Sequence, residues 1–209
     1  MSTPSIEISS QHDALLVVDM QNDFVKTDGR LSVAGAEKLL PTLNHIIKNL
    51  SFRAVVASKD WHPPNHISFR KEDGTGGQWP PHCVQSTPGA EFHRDLEQGG
   101  ITHIVHKATS LDSESYSAFC DEAGVTTGLG AMLHAMGVKR IFVCGVAYDY
   151  CVYYTSLDAR KENFSVVVLE DVVLAVDPEN MGAKREHMER EGITFAESKS
   201  LFKIFPEAS

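Results

Sequence analysis

The sequence predicts an α/β fold built on a parallel sheet, and three observations carry that reading. Apolar runs of strand length alternate with stretches of helical spacing. The first run, Ala-Leu-Leu-Val-Val over 14–18, is apolar on both faces, as a central strand covered by helices on each side must be. Reactive residues then collect where such runs end, at the sheet edge where open α/β folds keep their ligand chemistry.

The strand at 14–18 ends in Asp19-Met-Gln-Asn-Asp-Phe24. Ala36 to Leu50 has helical spacing and forms the first covering helix, with Pro41 marking an early helical position or a kink. Arg53 to Ser58 is the second strand, followed by a long loop rich in glycine, proline and polar residues, of a length that is usually functional. His103 to Lys107 is the third strand. Leu129 to Met136 reads as a helix closed by Gly137, and Arg140 to Cys144 as the next strand. Gly145 turns that strand into a helix over Tyr153 to Glu162. Ser165 to Leu169 is the fifth strand; Asp177 to Glu191 is a charged helix with Asp177 as N-cap, Pro178 at N1 and Gly192 at its end. Ile193 to Ala196 makes a short edge strand, and the remainder is tail.

A chain of 209 residues without repeats or low-complexity tracts is expected to form one domain, 1–209. Its net charge of −9 argues against nucleic acid or an anionic membrane as partner and favours a small molecule. No window has the apolar length of a membrane span, and the N-terminus lacks a signal pattern. The C-terminal Pro-Glu-Ala-Ser is no peroxisomal or retention signal. Cysteines 83, 120, 144 and 151 form no CxxC pair, which suits reduced thiols in a cytoplasmic compartment.

Cys151 is the candidate nucleophile. A strand, a glycine turn and a helix opening would place it in the first helical turn, where unpaired N–H groups and the helix dipole favour a thiolate and can hold an oxyanion. The alternative is a small buried hydrophobe. Asp19 and Lys107 end strands at the same edge; an acid there is also an ordinary cap, and a lysine ordinary decoration. Asp60 and His62, alternate residues at a strand end, can point the same way, and His82 or His66 could complete a Zn²⁺, Fe²⁺ or Mn²⁺ site. Solvated loop histidines are the competing reading.

Taken together, six segments resemble the isochorismatase-like cysteine hydrolases, specifically the nicotinamidase/pyrazinamidase branch. They are Asp19-x-Gln-Asn-Asp-Phe, Asp60-Trp-His-Pro-x-Asn-His, Trp79-Pro-x-His-Cys-Val-Gln, His-Lys107, Ser115-Tyr-Ser-Ala-Phe and Gly145-x-Ala-x-Asp-Tyr-Cys-Val, in order from about residue 14 to 160. The resemblance implies a Rossmann-like three-layer fold, with a six-stranded, mostly parallel sheet covered by helices on both faces. It implies a triad of Asp19, Lys107 and Cys151, and metal ligands Asp60, His62 and His82, with His66 as candidate for a further place. It also implies a cis Val146–Ala147 peptide and an oxyanion hole from the N–H groups of Ala147 and Cys151. Phe24, Trp79, Tyr116 and Tyr150 match positions lining the ring pocket. Tyr148 departs from the pattern, since relatives commonly carry threonine there, a difference that bears on the shape of the pocket mouth and not on the triad.

The implied reaction is hydrolysis of nicotinamide to nicotinate and ammonia through a cysteine thioester, in NAD salvage, with pyrazinamide as a second substrate. One divalent ion, zinc ahead of iron or manganese, would hold the pyridine nitrogen. A homo-oligomer is compatible with this reading. Other readings are a relative acting on isochorismate, a carbamoyl amide or a ureido compound, a silent binding protein, and a thiol redox sensor. The Asp60, His62 and His82 loop argues against the first, the complete triad against the second, and the lack of a nearby resolving cysteine against the third.

Overall fold

The computed structural model describes residues 5–202; the N-terminal signal reading in part and the C-terminal Pro-Glu-Ala-Ser fall outside that span. Among the described residues, eight strands and five α-helices run in the order β1 (Ile6–Glu7), β2 (Asp13–Val18), α1 (Asn22–Val25), α2 (Leu40–Asn49), β3 (Ala54–Asp60), β4 (His103–Lys107), α3 (Leu129–Ala135), β5 (Arg140–Val146), α4 (Tyr153–Lys161), β6 (Ser165–Leu174), α5 (Met181–Arg190), β7 (Thr194–Ala196) and β8 (Leu201–Phe202). Six of the strands form one sheet in the order β4-β3-β2-β5-β6-β7, and every neighbouring pair is parallel. The expected α/β architecture is therefore present.

Alternation along the strands sends apolar side chains to both faces. Leu15, Val17, Val55, Ala57 and Phe142 pack with Leu43, Ile46 and Ile47 of α2 on one side. Leu16, Val18, Val56, Ile141 and Val143 pack with Leu129 and Leu133 of α3 and with Ala159 of α4 on the other. Both faces are covered, so β2 is buried along its whole length.

Chain order reverses at the centre. From β2 the sheet grows through β3 to β4, and from β5 it grows the other way through β6 to β7. The carboxyl ends of β2 and β5 thus flank the point where an open α/β sheet parts its loops and leaves a crevice. Gly145 makes their approach feasible: it pairs with Val18, has φ 107°, and a Cβ there would lie 2.1 Å from the Val18 carbonyl oxygen.

Several boundaries differ from the sequence expectation for identifiable reasons. β6 extends to Leu174 because Val173 and Leu174 resume pairing with Gly145 and Val146 after a register shift, past an exposed Glu170-Asp171 step that reads as a turn. The helix expected from Ala36 begins as a 3₁₀ turn, Ala36–Leu39, and becomes α-helical at Leu40, with Pro41 in the first turn where its missing N–H costs nothing. The Asp177 carboxylate accepts from the Glu179 N–H at 3.1 Å, but it caps a 3₁₀ turn, Pro178–Asn180, ahead of α5. The expected tail is corrected in part: Leu201–Phe202 pairs in parallel with Ile6–Glu7, two strands too short to show periodicity.

Candidate active site

Asp19 directly follows β2 with φ 49°, a left-handed conformation that aspartate tolerates better than most residues. Its Oδ1 accepts from the Ser58 hydroxyl at 2.6 Å, and its own N–H donates back to Ser58 Oγ at 3.3 Å. Asp60 ends β3, and the β3–β4 register sets it opposite Lys107, the last residue of β4. Gln21 clamps the backbone of Asp60 from both sides. It accepts from the Asp60 N–H at 2.7 Å and donates to the Asp60 carbonyl at 2.7 Å.

Lys107 is fully buried at the meeting point. Its Nζ lies 3.0 Å from Asp19 Oδ2, 3.2 Å from the Ser115 carbonyl and 3.5 Å from Cys151 Sγ, and it forms a short ion pair with Asp60 Oδ1. An oxygen of Asp19, an oxygen of Asp60 and the Cys151 sulfur all lie within 4.8 Å of one another. Three strand ends far apart in sequence converge on one ammonium group.

Burial and charge divide the roles. Burial works against a charged lysine, but Asp19, Asp60 and Cys151 around it raise its pKa well above the ordinary value. Burial raises the Asp19 pKa, and the neighbouring Asp60 adds to this against the pull of Lys107. Asp60 goes the other way: burial opposes ionisation, yet the Lys107 ammonium holds its pKa low. Burial, with Asp19 and Asp60 nearby, raises the Cys151 thiol well above its ordinary value despite Lys107. Burial thus outweighs the pull that a helix opening exerts towards the thiolate. Cys151 sits in a π-helical turn, Tyr148–Val152, ahead of α4, where its surroundings favour the thiol over the thiolate.

Asp60, His62 and His82 each present a ligand atom within 4.8 Å of the others. His62 Nδ1 lies 3.1 Å from the His82 carbonyl and His82 Nδ1 lies 2.8 Å from the Pro80 carbonyl, so each ring donates at Nδ1 and keeps Nε2 for a ligand. His82 Nε2 is 3.8 Å from Asp60 Oδ2. Burial first, with the nearby His82, His66 and Lys107, takes the His62 pKa down to about 3 against the pull of Asp60, and burial lowers His82 as well. Neutral imidazoles with one oriented lone pair each, beside an ionised carboxylate, are the donor set a divalent cation requires.

His66 is differently engaged. Its Nδ1 lies 2.7 Å from Ser68 Oγ and its Nε2 3.0 Å from the Ser113 carbonyl, so both ring nitrogens face protein partners. It clusters with His62 and Glu114, and not with Asp60 and His82.

Next to the sulfur opens a cavity lined by Phe24, Trp79, Tyr116, Tyr150, Ala147, Cys151, Asp60, His62 and His82, and also by Leu31, Glu114 and Val176. The Val146–Ala147 peptide is cis. Trp79 packs edge-on to Tyr150 at 5.1 Å and its indole N–H donates to the Tyr116 hydroxyl at 3.0 Å, which fixes three of the aromatic walls relative to one another.

A protein-family model, the Isochorismatase domain, matches residues 13–200. The chain belongs to the isochorismatase family. The nicotinamidase of Escherichia coli (strain K12) is 37% identical to it over 191 residues, covering 84% of this chain and 89% of that protein. A structure from L. infantum in complex with nicotinate superposes with a TM-score of 0.93 at 44% identity, covering 96% of this chain and 100% of that one. The pyrazinamidase of Pyrococcus horikoshii in complex with zinc gives a TM-score of 0.77 at 44% identity, over 89% and 99% of the two chains.

In this isochorismatase-family member Tyr148 does not stand at the pocket mouth. It is 2% exposed and packs into the core among Tyr153, Met188 and the strands facing α4, where burial pushes its pKa up to about 12. Ser58, Leu31, Glu114 and Val176 carry no weight in the sequence reading, and Gln21 enters it only as part of a motif, with no role of its own. Two of them had a usable signal: Ser58 shares a strand face with Asp60, and Gln21 lies within the same short motif as Asp19.

Proposed function

We infer that this chain hydrolyses nicotinamide to nicotinate and ammonia, with Cys151 as nucleophile and Asp19 as the group that carries the proton. The observation that supports this most directly is the contact of one buried lysine with Asp19 at 3.0 Å and with Cys151 at 3.5 Å, beside an aromatic-walled cavity.

An amide needs a strong nucleophile, a proton for its nitrogen and a place for negative charge. Asp19 takes the Cys151 proton as the sulfur forms its bond to the carboxamide carbon, and the oxyanion is held by the N–H groups of Ala147 and Cys151. Asp19 gives that proton to the amide nitrogen as the C–N bond breaks and ammonia leaves. Water then attacks the thioester with Asp19 accepting its proton, the C–S bond breaks, and the proton returns to sulfur. Lys107 stays protonated, keeping both carboxylates near the thiol in electrostatic balance.

Asp60 Oδ2 and the Nε2 atoms of His62 and His82 would hold the divalent ion. That ion supplies a Lewis-acid contact for the pyridine nitrogen that orients the ring. Zinc is the proposed metal, in line with the zinc complex of the Pyrococcus horikoshii relative, with iron and manganese as alternatives for the same donors. Pyrazinamide, with the same ring-nitrogen relation to its carboxamide, is a proposed second substrate. We also propose a single domain, a cytoplasmic setting, an assembly of copies and no nucleic-acid or membrane partner; among the described residues no helix is long and apolar enough to cross a membrane.

Ammonia release from nicotinamide tests the assignment. Cys151→Ala is expected to abolish it while fold and bound metal persist, and turnover at the wild-type rate would overturn the nucleophile. His62→Ala is expected to lower bound metal and raise KM; unchanged metal content would overturn the ligand set.

A further inference from the structure

The turn that carries the nucleophile also holds one wall of the cavity. Asp149 lies two residues before Cys151 and is buried, and both its carboxylate oxygens are used on one segment. Oδ1 accepts from the Val176 N–H at 2.9 Å and Oδ2 from the Asp177 N–H at 2.9 Å. Val176 follows the end of β6, stands 39% exposed, and lines the cavity together with Cys151, Ala147 and Tyr150. Beyond it the chain turns at once into the Asp177 cap of Pro178–Asn180.

The aromatic walls have different supports. Phe24 belongs to α1, Trp79 and Tyr116 are tied by their own hydrogen bond, and Tyr150 packs on Trp79. Val176 is a half-exposed aliphatic side chain whose backbone is fixed by a charged group from a different element. A bidentate carboxylate clamp on two successive N–H groups leaves that backbone little freedom to retreat, and charge-assisted hydrogen bonds are about twice as strong as neutral ones.

Resting on the amidase reading above, we propose that Val176, latched by Asp149, is the steric selector for substituents on the substrate ring. Asp149 is a positioning residue: it touches no reacting atom and acts through Val176. Shortening Val176 opens room for a ring methyl, whereas freeing its backbone lets the wall move back and loosens the same discrimination.

The test uses nicotinamide and its 2-, 4-, 5- and 6-methyl derivatives with the metal-loaded wild type, Val176→Ala, Asp149→Asn and the double variant. Dissociation constants are read by calorimetry in a Cys151→Ala background and ammonia release in the Cys151 background. Val176→Ala is expected to improve binding of at least one methyl isomer roughly tenfold relative to nicotinamide, the lower end of what one methyl group commands in an apolar pocket. Asp149→Asn is expected to shift the same isomer in the same direction, and to add little once Val176 is already alanine. A merely structural Asp149 would change kcat without touching the ratio between isomers, or would act equally in both backgrounds. Either result overturns the latch. Isomer ratios in Val176→Ala within twofold of the parent, or no binding of any ring compound, overturn the selector. Wild-type binding without ammonia release would instead overturn the amidase reading and leave the ratios as the measure of the selector.

Discussion

Lys107 brings one positive charge into a buried space shared by two carboxylates and a thiol. Its raised pKa means the charged form is favoured by folding. That contribution is complete below the ordinary lysine value and is lost only above it, so at neutral pH the ammonium is constant. Lys107→Met would leave two buried carboxylates within 4.8 Å of each other and no counter-charge. Such a broken buried pair typically costs about 3–5 kcal/mol. A urea midpoint indistinguishable from wild type would show that the lysine is dispensable for stability. Asp19 is the complementary case, because its raised pKa places it closer to the proton it must exchange. Asp19→Asn keeps the shape and removes the base, and is expected to lower kcat by roughly 10²–10⁴ with bound metal unchanged. The raised pKa also gives the sign of the acid limb: kcat/KM should fall as pH drops through a value above that of an ordinary aspartate, since protonated Asp19 cannot accept from sulfur.

At the scale of elements, the site is an alignment of strand ends, and the strand at β5 is the most exacting. Gly145→Ala would put a Cβ 2.1 Å from the Val18 carbonyl at a φ of 107°. The β2 and β5 ends must then separate, and thermal unfolding should show a loss of at least about 2 kcal/mol. Much of this framework was legible in the sequence. Ala14 to Val18 and Arg140 to Cys144 carry apolar runs that mark strands, His103 to Lys107 reads as one on its Ile104-Val105 centre, and polar groups at or just past such ends fall at the sheet edge by necessity. The positions of Asp19 and Lys107, and of Cys151 one turn further on, follow from that logic. What was hidden depends on contacts between distant segments. Nothing local in Asp149 tells that its carboxylate reaches the N–H groups of Val176 and Asp177. Nor does the local sequence show that β6 resumes pairing beyond Glu170 and Asp171. His66 looked equivalent to His82 by spacing alone, and only the placement of Ser68 and the Ser113 carbonyl separates it.

For the whole molecule, grouping neutral histidines and a carboxylate in the crevice couples global stability to pH. His62 has its pKa taken down to about 3 in the fold, from 6.5 in an open chain, and His82 moves in the same direction. A base with a depressed folded pKa is protonated more readily in the unfolded chain. Its contribution to stability is complete above about pH 6.5 and is lost as pH falls towards 3. Each unit of pH over that window costs up to about 1.4 kcal/mol per histidine. Asp19 acts in the opposite sense, since a carboxyl with a raised folded pKa destabilises the fold as pH rises through it, and this offsets part of the loss. Metal-free protein should therefore unfold at lower urea at pH 5 than at pH 7, by about 2 kcal/mol in total. His62→Gln removes one of the two titrating rings without emptying the space, so it should flatten the dependence markedly. Saturating zinc should raise stability most at pH 7 and least at pH 5, because protons compete for the same nitrogens. Urea midpoints of metal-free wild type that do not change between the two values would show that the buried rings are not held neutral by the fold.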